Sequence, residues 1–334
     1  MANTHSTDLE SSSSQYWSIN DASQTGLDIT GDITIEAWIK PESLTDFDVI
    51  ISKDDVGVSR SFTLHLKADG AIHTYIFGVG GSGQIETETS AGIITAGVWS
   101  HIVMVFDVSA DTVKIYLNGV ETGYQTYSSG TITTITDSSA PFLIGARFLS
   151  SVAEKFFDGL VDEVRVWNDI RTESEIQDNF QKELDGDEAN LQGYWKFNND
   201  GDDETSNDND LTNINSCTFS EDVPEWGVTL EMGVGSIALT GNDITLTYFS
   251  GYTLSMGVGA LTLTGNALGL KRALIVAMGI GAFTLTGIAL AFKKGFNIIL
   301  NTVSFLLTGK SLSFRTTAWK EDSKPSSSWN NDSK

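Results

Sequence analysis

The sequence predicts an all-β protein: a two-sheet antiparallel sandwich with one short helix, followed by a C-terminal β-repeat domain. Three observations predict it. Apolar residues recur at every second position through much of the first two hundred residues, the mark of strands with one face on a core. Glycine is abundant (32 residues) and proline scarce (4) in a chain of 334, which suits short strands joined by tight turns. The tripeptide Leu-Thr-Gly then occurs four times, beginning at Leu239, Leu263, Leu285 and Leu307, at intervals of 24, 22 and 22 residues. Near-constant spacing of this kind is the signature of a repeat array.

Taken in order, residues 1–14 read as a polar N-terminal arm. It has neither a basic start nor an apolar core, so it is not expected to be a secretory leader. The sandwich is expected over residues 15–226, with about a dozen strands. Ile33, Ile35, Ala37 and Ile39 alternate with Thr34, Glu36, Trp38 and Lys40. Phe62, Leu64 and Leu66 alternate with Thr63, His65 and Lys67, and Ile102, Met104 and Phe106 oppose His101, Val103 and Val105. Val113, Ile115 and Leu117 lead into Asn118-Gly119, a strong hairpin turn. Thr172 and Glu175 have capping-box spacing, with Ile176 and Phe180 as an apolar stripe, so one helix is predicted at Thr172–Phe180.

Residues 227–317 hold four copies of the repeat: MGVGSIALTG, MGVGALTLTG, MGIGAFTLTG and NTVSFLLTG. Each is expected to be a hairpin-like unit with a turn at Thr-Gly. A unit this short cannot bury its own face, so it must stack on its neighbours or on other chains. Ala273–Phe292 is apolar, about 20 residues long and flanked by basic pairs, and so also fits a membrane-spanning helix. The β reading is preferred because the segment keeps the Leu-Thr-Gly register of its siblings. Residues 318–334 read as a polar C-terminal tail.

Charge divides the chain in the same place. The formal net charge is −24. After residue 226 there are 5 acidic and 9 basic residues, giving +4, and the rest therefore carries −28. So acidic a surface argues against nucleic acid or an anionic membrane as partner. Cys217 is the only cysteine, so no internal disulfide forms and a disulfide-stapled secreted module is excluded.

Four blocks carry a family resemblance: Ile33-Thr34-Ile35-Glu36-Ala37-Trp38-Ile39; Trp99-Ser100-His101-Ile102-Val103; Val113–Gly119; and Gly159–Asn168, with the Thr172–Phe180 helix after it. In this order they resemble the laminin-G-like and pentraxin-like jelly rolls of concanavalin-type lectin folds. The resemblance implies a jelly-roll sandwich. It leaves the ligand open, since such folds host sugar binders, protein binders and spacers. The repeats and the DSKPSSSWNNDSK ending resemble structural proteins of tailed bacteriophages, which implies a virion protein.

Little in the sequence marks catalysis. His5, His65, His73 and His101 show no zinc-ligand spacing, and no Gly-x-Ser-x-Gly elbow occurs. Carboxylates are too many for any pair to single out a glycosidase. The loop Asn198–Asp210, NNDGDDETSNDND, is dense in oxygen donors of the kind calcium takes, and reads equally as a solvated acidic loop. The family resemblance implies Asp162, Asp203, Glu204 and Asp208 as candidate Ca2+ ligands. The pentraxin-type cluster looks absent, because Ala146-Arg147-Phe148-Leu149 stands where acidic residues are needed. Tyr124, Tyr127, Phe148 and the Gly80–Gly83 loop are candidates to line a sugar-binding rim.

The expected function is a non-catalytic virion component (tail, fibre or decoration). Its jelly roll would meet a host-surface glycan or protein, and residues 227–334 would join other virion subunits or a homo-oligomer. The alternatives are a secreted or cell-surface bacterial adhesin-like lectin and, third, a glycan-cleaving spike enzyme.

Overall fold

A computed structural model describes residues 3–224 in full, and beyond them the backbone of residues 229–247, 253–271, 275–292, 297–300 and 303–314. The chain divides into two compact units, residues 1–226 and 227–334.

The first unit is a sandwich of an eight-stranded and a ten-stranded sheet. In the first sheet Ile33–Pro41 lies between Ser100–Asp107 and Gly159–Trp167, antiparallel to both. Asn118 (φ 50°) and Gly119 (φ 78°) both take positive φ, as the expected hairpin turn requires. The second sheet runs Tyr124–Gly130, Gly83–Thr89, Ile72–Phe77, Ser59–Leu66, Asp48–Val56, Phe142–Ile144, Tyr16–Ile19 and Thr212–Ile214. Arg147–Leu149 pairs with the last residues of Asp48–Val56 and with Val152–Glu154. The strands outnumber the expected dozen because segments of two to four residues carry too little alternation to be read.

Ile33, Ile35, Ala37, Ile39, Phe62, Leu64, Leu66, Ile102, Met104 and Phe106 are all buried in one continuous core. Their alternation positions the opposite side chains on the outer faces. Two features depart from simple alternation and from the expected start of the sandwich. Ser6–Leu9 is a strand between Gly159–Trp167 and Thr218–Ser220, with Leu9 in the core. The sandwich therefore begins at Ser6 and no 14-residue arm precedes it; a single aliphatic in Ser6-Thr7-Asp8-Leu9 hid the strand. The outer face of the first sheet is also covered, so Glu36, Trp38, His101, Val103 and Val105 are buried as well.

What covers it is helix α1 (Glu173–Asn179) and the segment after it. Thr172 and Glu175 form the predicted capping box, and Ile176 packs on Val103, Val105 and Tyr116. Trp38 stacks on Phe180 at 5.9 Å and donates its Nε1–H to the Phe180 carbonyl at 2.7 Å.

The second unit is a five-stranded parallel sheet. Thr229–Thr247, Thr253–Lys271 and Ile275–Phe292 pair in a register that aligns Leu239, Leu263 and Leu285, and Leu307 follows from Val303–Phe314. The strands continue through Thr-Gly, which corrects the expected hairpins: corresponding residues pair across repeats, not within one. Six Cα steps join Thr247 to Thr253, a reach of at most about 22 Å. A straight strand of 19 residues would span about 60 Å. Each strand must therefore curve back on itself, and each repeat is one coil. Pairing lapses at Gly233, Gly257 and Gly279 and again at Asn242, Asn266 and Ile288, where bends would divide a coil into three faces. No helix among the described residues is long and apolar enough to cross a membrane. Of Ala273–Phe292, the segment that fits a spanning helix, the described part Ile275–Phe292 is a strand. The tail 318–334 lies outside the described residues.

Candidate functional site

Three neighbouring strands of the second sheet, Ser59–Leu66, Ile72–Phe77 and Gly83–Thr89, send Phe62, Leu64, Leu66, Ile72, Ile76 and Ile85 into the core. The alternate positions share the outer face: Thr63 and His65, then His73, Tyr75 and Phe77, then Gln84, Glu86 and Glu88. Phe47, in the loop before Asp48–Val56, joins them in left-handed backbone (φ 77°).

These rings form a row. Phe47 stacks on His65 with centroids 3.6 Å apart, His65 on Tyr75 at 5.7 Å, and Tyr75 on Phe77 at 5.9 Å. A guanidinium closes each end: Arg147 lies 4.0 Å from the Phe47 centroid and Arg60 3.8 Å from that of Phe77, both in cation–π range. Arg60 is oriented by Nε and Nη2 bonds to buried Asp54 at 2.7 and 2.9 Å, and Arg147 by Glu154. Beside Arg60 and Phe77 opens a cavity of about 430 Å³, lined also by Val58, Gly80, Gly81 and Gln84. Burial, followed by the charge of His73, holds His65 well below the usual imidazole range. Burial also lowers His73, against the pull of Glu86 and Glu88.

The structure disperses the rim candidates. Tyr124 packs against the core and donates to Glu121 Oε1 at 2.9 Å. Tyr127 is exposed and paired with Glu86, at the margin of the aromatic face. Phe148 sits edge-on to Tyr16 at 6.5 Å, on the strand beyond Asp48–Val56. Of the Gly80–Gly83 loop, Gly80, Gly81 and Gly83 do line the cavity. Sequence reading missed Phe47, Tyr75, Phe77, Arg60 and Arg147. Alternation gives the outward side of Tyr75 and Phe77, but only strand order puts them beside His65.

Nor do the calcium candidates converge. Asp203 is buried and accepts four protein donors: Tyr194 N, Thr205 N, Thr205 Oγ1 and Asn209 N, all at 2.9–3.0 Å. Those bonds fill a carboxylate's strong acceptor sites. Asp162 is buried and accepts from Asn3 Nδ2 at 2.7 Å and from Glu163 N at 2.8 Å. Glu204 pairs with Lys196 at 3.1 Å, and Asp208 sits in left-handed backbone. This set does not fit a calcium ion. The acidic loop folds around Asp203 as an internal staple. Among the described residues, groups of three whose ligand atoms lie within 4.8 Å of one another are His73/Glu86/Glu88, Asp8/Glu10/Glu42 and Asp185/Asp187/Glu188.

Two strongly perturbed carboxylates, Glu36 and Glu163, lie under α1. Glu36 accepts from Trp167 Nε1 at 2.9 Å, with His101 Nε2 3.0 Å and Arg165 Nη1 3.7 Å away. Burial raises its pKa, but His101, Arg165 and Trp167 outweigh burial and bring it down to about 2. Glu163 takes Arg165 Nη2 at 2.7 Å and the Tyr194 hydroxyl at 2.6 Å, yet burial pushes it up to about 7. Arg165 also donates to the carbonyls of Asn179 and Lys182, tying the helix end to the sheet.

Comparison with known proteins gives one family and a set of folds. The model of the concanavalin A-like lectin/glucanases superfamily matches residues 11–177. No curated protein matches the chain. A candidate carbohydrate-binding protein from Bacteroides ovatus is similar in structure, with TM-score 0.51 and 20% identity over 66% of this chain; the chain spans 60% of that protein's length. The heptameric SAP-like pentraxin of Limulus polyphemus aligns at TM-score 0.39 and 15% identity, over 65% of this chain and 88% of its own. The CBM40 of the Ruminococcus gnavus IT-sialidase, bound to α2,3-sialyllactose, aligns at 0.42 and 12%, over 52% and 96%.

Proposed function

We propose, for a chain that belongs to the concanavalin A-like lectin/glucanases superfamily, that its sandwich is a non-catalytic carbohydrate-binding module. The sugar would lie on the aromatic face of the second sheet. The observation that carries this reading is the row of rings from Phe47 to Phe77 with a guanidinium at each end. One face of a pyranose is C–H bonds that pack on an aromatic ring, while its hydroxyls need donors and acceptors around the rim. Tyr75 supplies a part-exposed ring, Arg60 and Arg147 supply donors, and Gln84, Glu86 and Glu88 supply acceptors. A cavity of about 430 Å³ is in the range of small-ligand clefts. The description of the Bacteroides ovatus protein as a candidate carbohydrate binder supports the reading. So does the burial of the perturbed carboxylates Glu36 and Glu163 under α1, away from any substrate.

The proposal extends to the whole chain as a structural protein of a phage virion, in a tail, fibre or decoration. The sandwich would face a host-surface glycan or protein, and the repeats would join other virion subunits or copies of this chain. The resemblance read in the repeat sequences to tailed-phage structural proteins supports this, as does a parallel array whose first and last strands each pair on one side only among the described residues.

The test is a glycan array probed with the full chain and with Tyr75→Ala and Arg60→Ala. Saturable binding to a glycan class, weakened at least tenfold in both variants and unchanged in Tyr124→Phe, is expected. A blank array, or variants that bind as the parent does, overturns the sugar reading. Labelling purified particles with an antibody to the sandwich tests the virion role, which fails if particles lack the chain.

A further inference from the structure

We infer that His73, Glu86 and Glu88, with His65 beside them, form a binding site for a divalent transition-metal ion of the zinc class. Sequence spacing hides the site because its residues meet across strands. His73 pairs with His65 on one side and with Glu88 on the other, and Glu86 stands opposite Tyr75 one step along the same face. The ligand atoms of His73, Glu86 and Glu88 lie within 4.8 Å of one another.

Two further observations point to a cation at this cluster. His65 is fully buried, neither of its ring nitrogens has a hydrogen-bond partner, and its ring centroid is 4.6 Å from that of His73. Buried polar atoms are seldom left in this state. His73 Nε2 lies 2.8 Å from Glu86 Oε1, but without hydrogen-bond alignment. A lone pair and a carboxylate are thus close together with no well-placed proton between them, which is what a shared cation accommodates.

The donor set selects the ion. Imidazole nitrogen with carboxylate oxygen suits zinc, cobalt and nickel, whereas calcium and magnesium prefer oxygen alone. Zinc bonds of about 2.0–2.1 Å in a tetrahedron put ligand atoms about 3.3 Å apart. The side chains of Glu86 and Glu88 are 30% and 27% exposed, free enough to close that gap. Lys67 Nζ, 2.9 Å from Glu88 Oε1, is the resident cation. It leaves the second oxygen of Glu88 to the ion, or swings to solvent. The other two groups, Asp8/Glu10/Glu42 and Asp185/Asp187/Glu188, have no imidazole and carry no such argument.

The test uses the chelator-treated full chain, titrated with ZnCl2 by calorimetry and with CoCl2 by visible absorption. One saturable site is expected, with a cobalt spectrum of low coordination number. His73→Gln and Glu86→Gln should each weaken binding at least tenfold, and His65→Gln should change the cobalt spectrum. Glu86→Gln, at a part-exposed position, decides the matter if the His73 substitution disturbs the near-UV circular dichroism. No zinc binding by the parent chain, parent-like affinity in Glu86→Gln, or calcium binding as tight as zinc overturns the site. Glu86 and Glu88 also border the face proposed for sugar, so the metal is read with zinc and cobalt in the absence of glycan, and the sugar reading is judged on Tyr75→Ala and Arg60→Ala alone.

Discussion

Replacing Glu36 by glutamine tests whether the charge cluster under α1 holds the helix to the sandwich. Glutamine keeps the size and the acceptor for Trp167 but removes the charge facing Arg165 and His101. Folding lowers the Glu36 pKa from 4.5 to about 2. At 1.36 kcal/mol per unit, a drop of ~2.5 units means the ionised form contributes roughly 3 kcal/mol. Removing one member of a buried ion pair costs a similar ~3–5 kcal/mol. Because the folded pKa is depressed, this stability is fully present above pH 4.5 and is lost as pH falls through 2. Urea unfolding followed by tryptophan fluorescence reads it, since Trp38, Trp167 and Trp195 are buried. At pH 7, Glu36→Gln should lose about 3 kcal/mol relative to the parent. The difference should shrink as pH falls from 4.5 toward 2. A loss under about 0.5 kcal/mol at pH 7, or a difference that does not change in acid, would refute the reasoning.

Two further outcomes follow from other parts of the structure. Asp203→Ala removes the acceptor of four hydrogen bonds and strands three backbone N–H groups in the 194–210 region. It should cost on the order of 2–4 kcal/mol, and adding calcium should not restore the melting temperature; recovery with calcium would mean an ion, not the loop, is the partner. Deleting residues 253–274, one period of the array, should leave its β circular dichroism per remaining repeat intact. Deleting half that length puts unlike positions side by side and should abolish cooperative melting of the array. Equal behaviour of the two deletions would contradict the in-register coils.

Much of the sandwich was legible because its strands each bury one face. Ile33 to Ile39 and Phe62 to Leu66 state their orientation in their own alternation, and Thr172 with Glu175 marks the helix start. What alternation does not encode is which strand lies beside which. His65 and His73 are eight residues apart and directly opposed, while Arg147 and Phe47 are a hundred apart and stacked. That is why reading along the chain singles out Tyr124 and Phe148 but not the row from Phe47 to Phe77. The acidic loop stayed open between calcium and solvent for a different reason. Composition showed many oxygens but not that Asp203 would spend its own on backbone amides. In the repeats the period was visible, but Thr-Gly reads as a turn whether or not the chain turns there. Only the cross-repeat pairing separates a coil from a hairpin.

The in-register repeats make the second unit a stack of matching layers. Neighbouring strands sit about 4.8 Å apart, so each added repeat advances the far end by one such step and leaves every earlier layer untouched. Length in such an object changes only in whole increments, and near-identical segments such as MGVGSIALTG and MGVGALTLTG are what duplication or loss of an increment leaves behind. Substitutions inside a layer alter its neighbours above and below, while gain or loss of a layer alters only reach. A protein built this way can tune the distance between its ends without redesigning anything at either one.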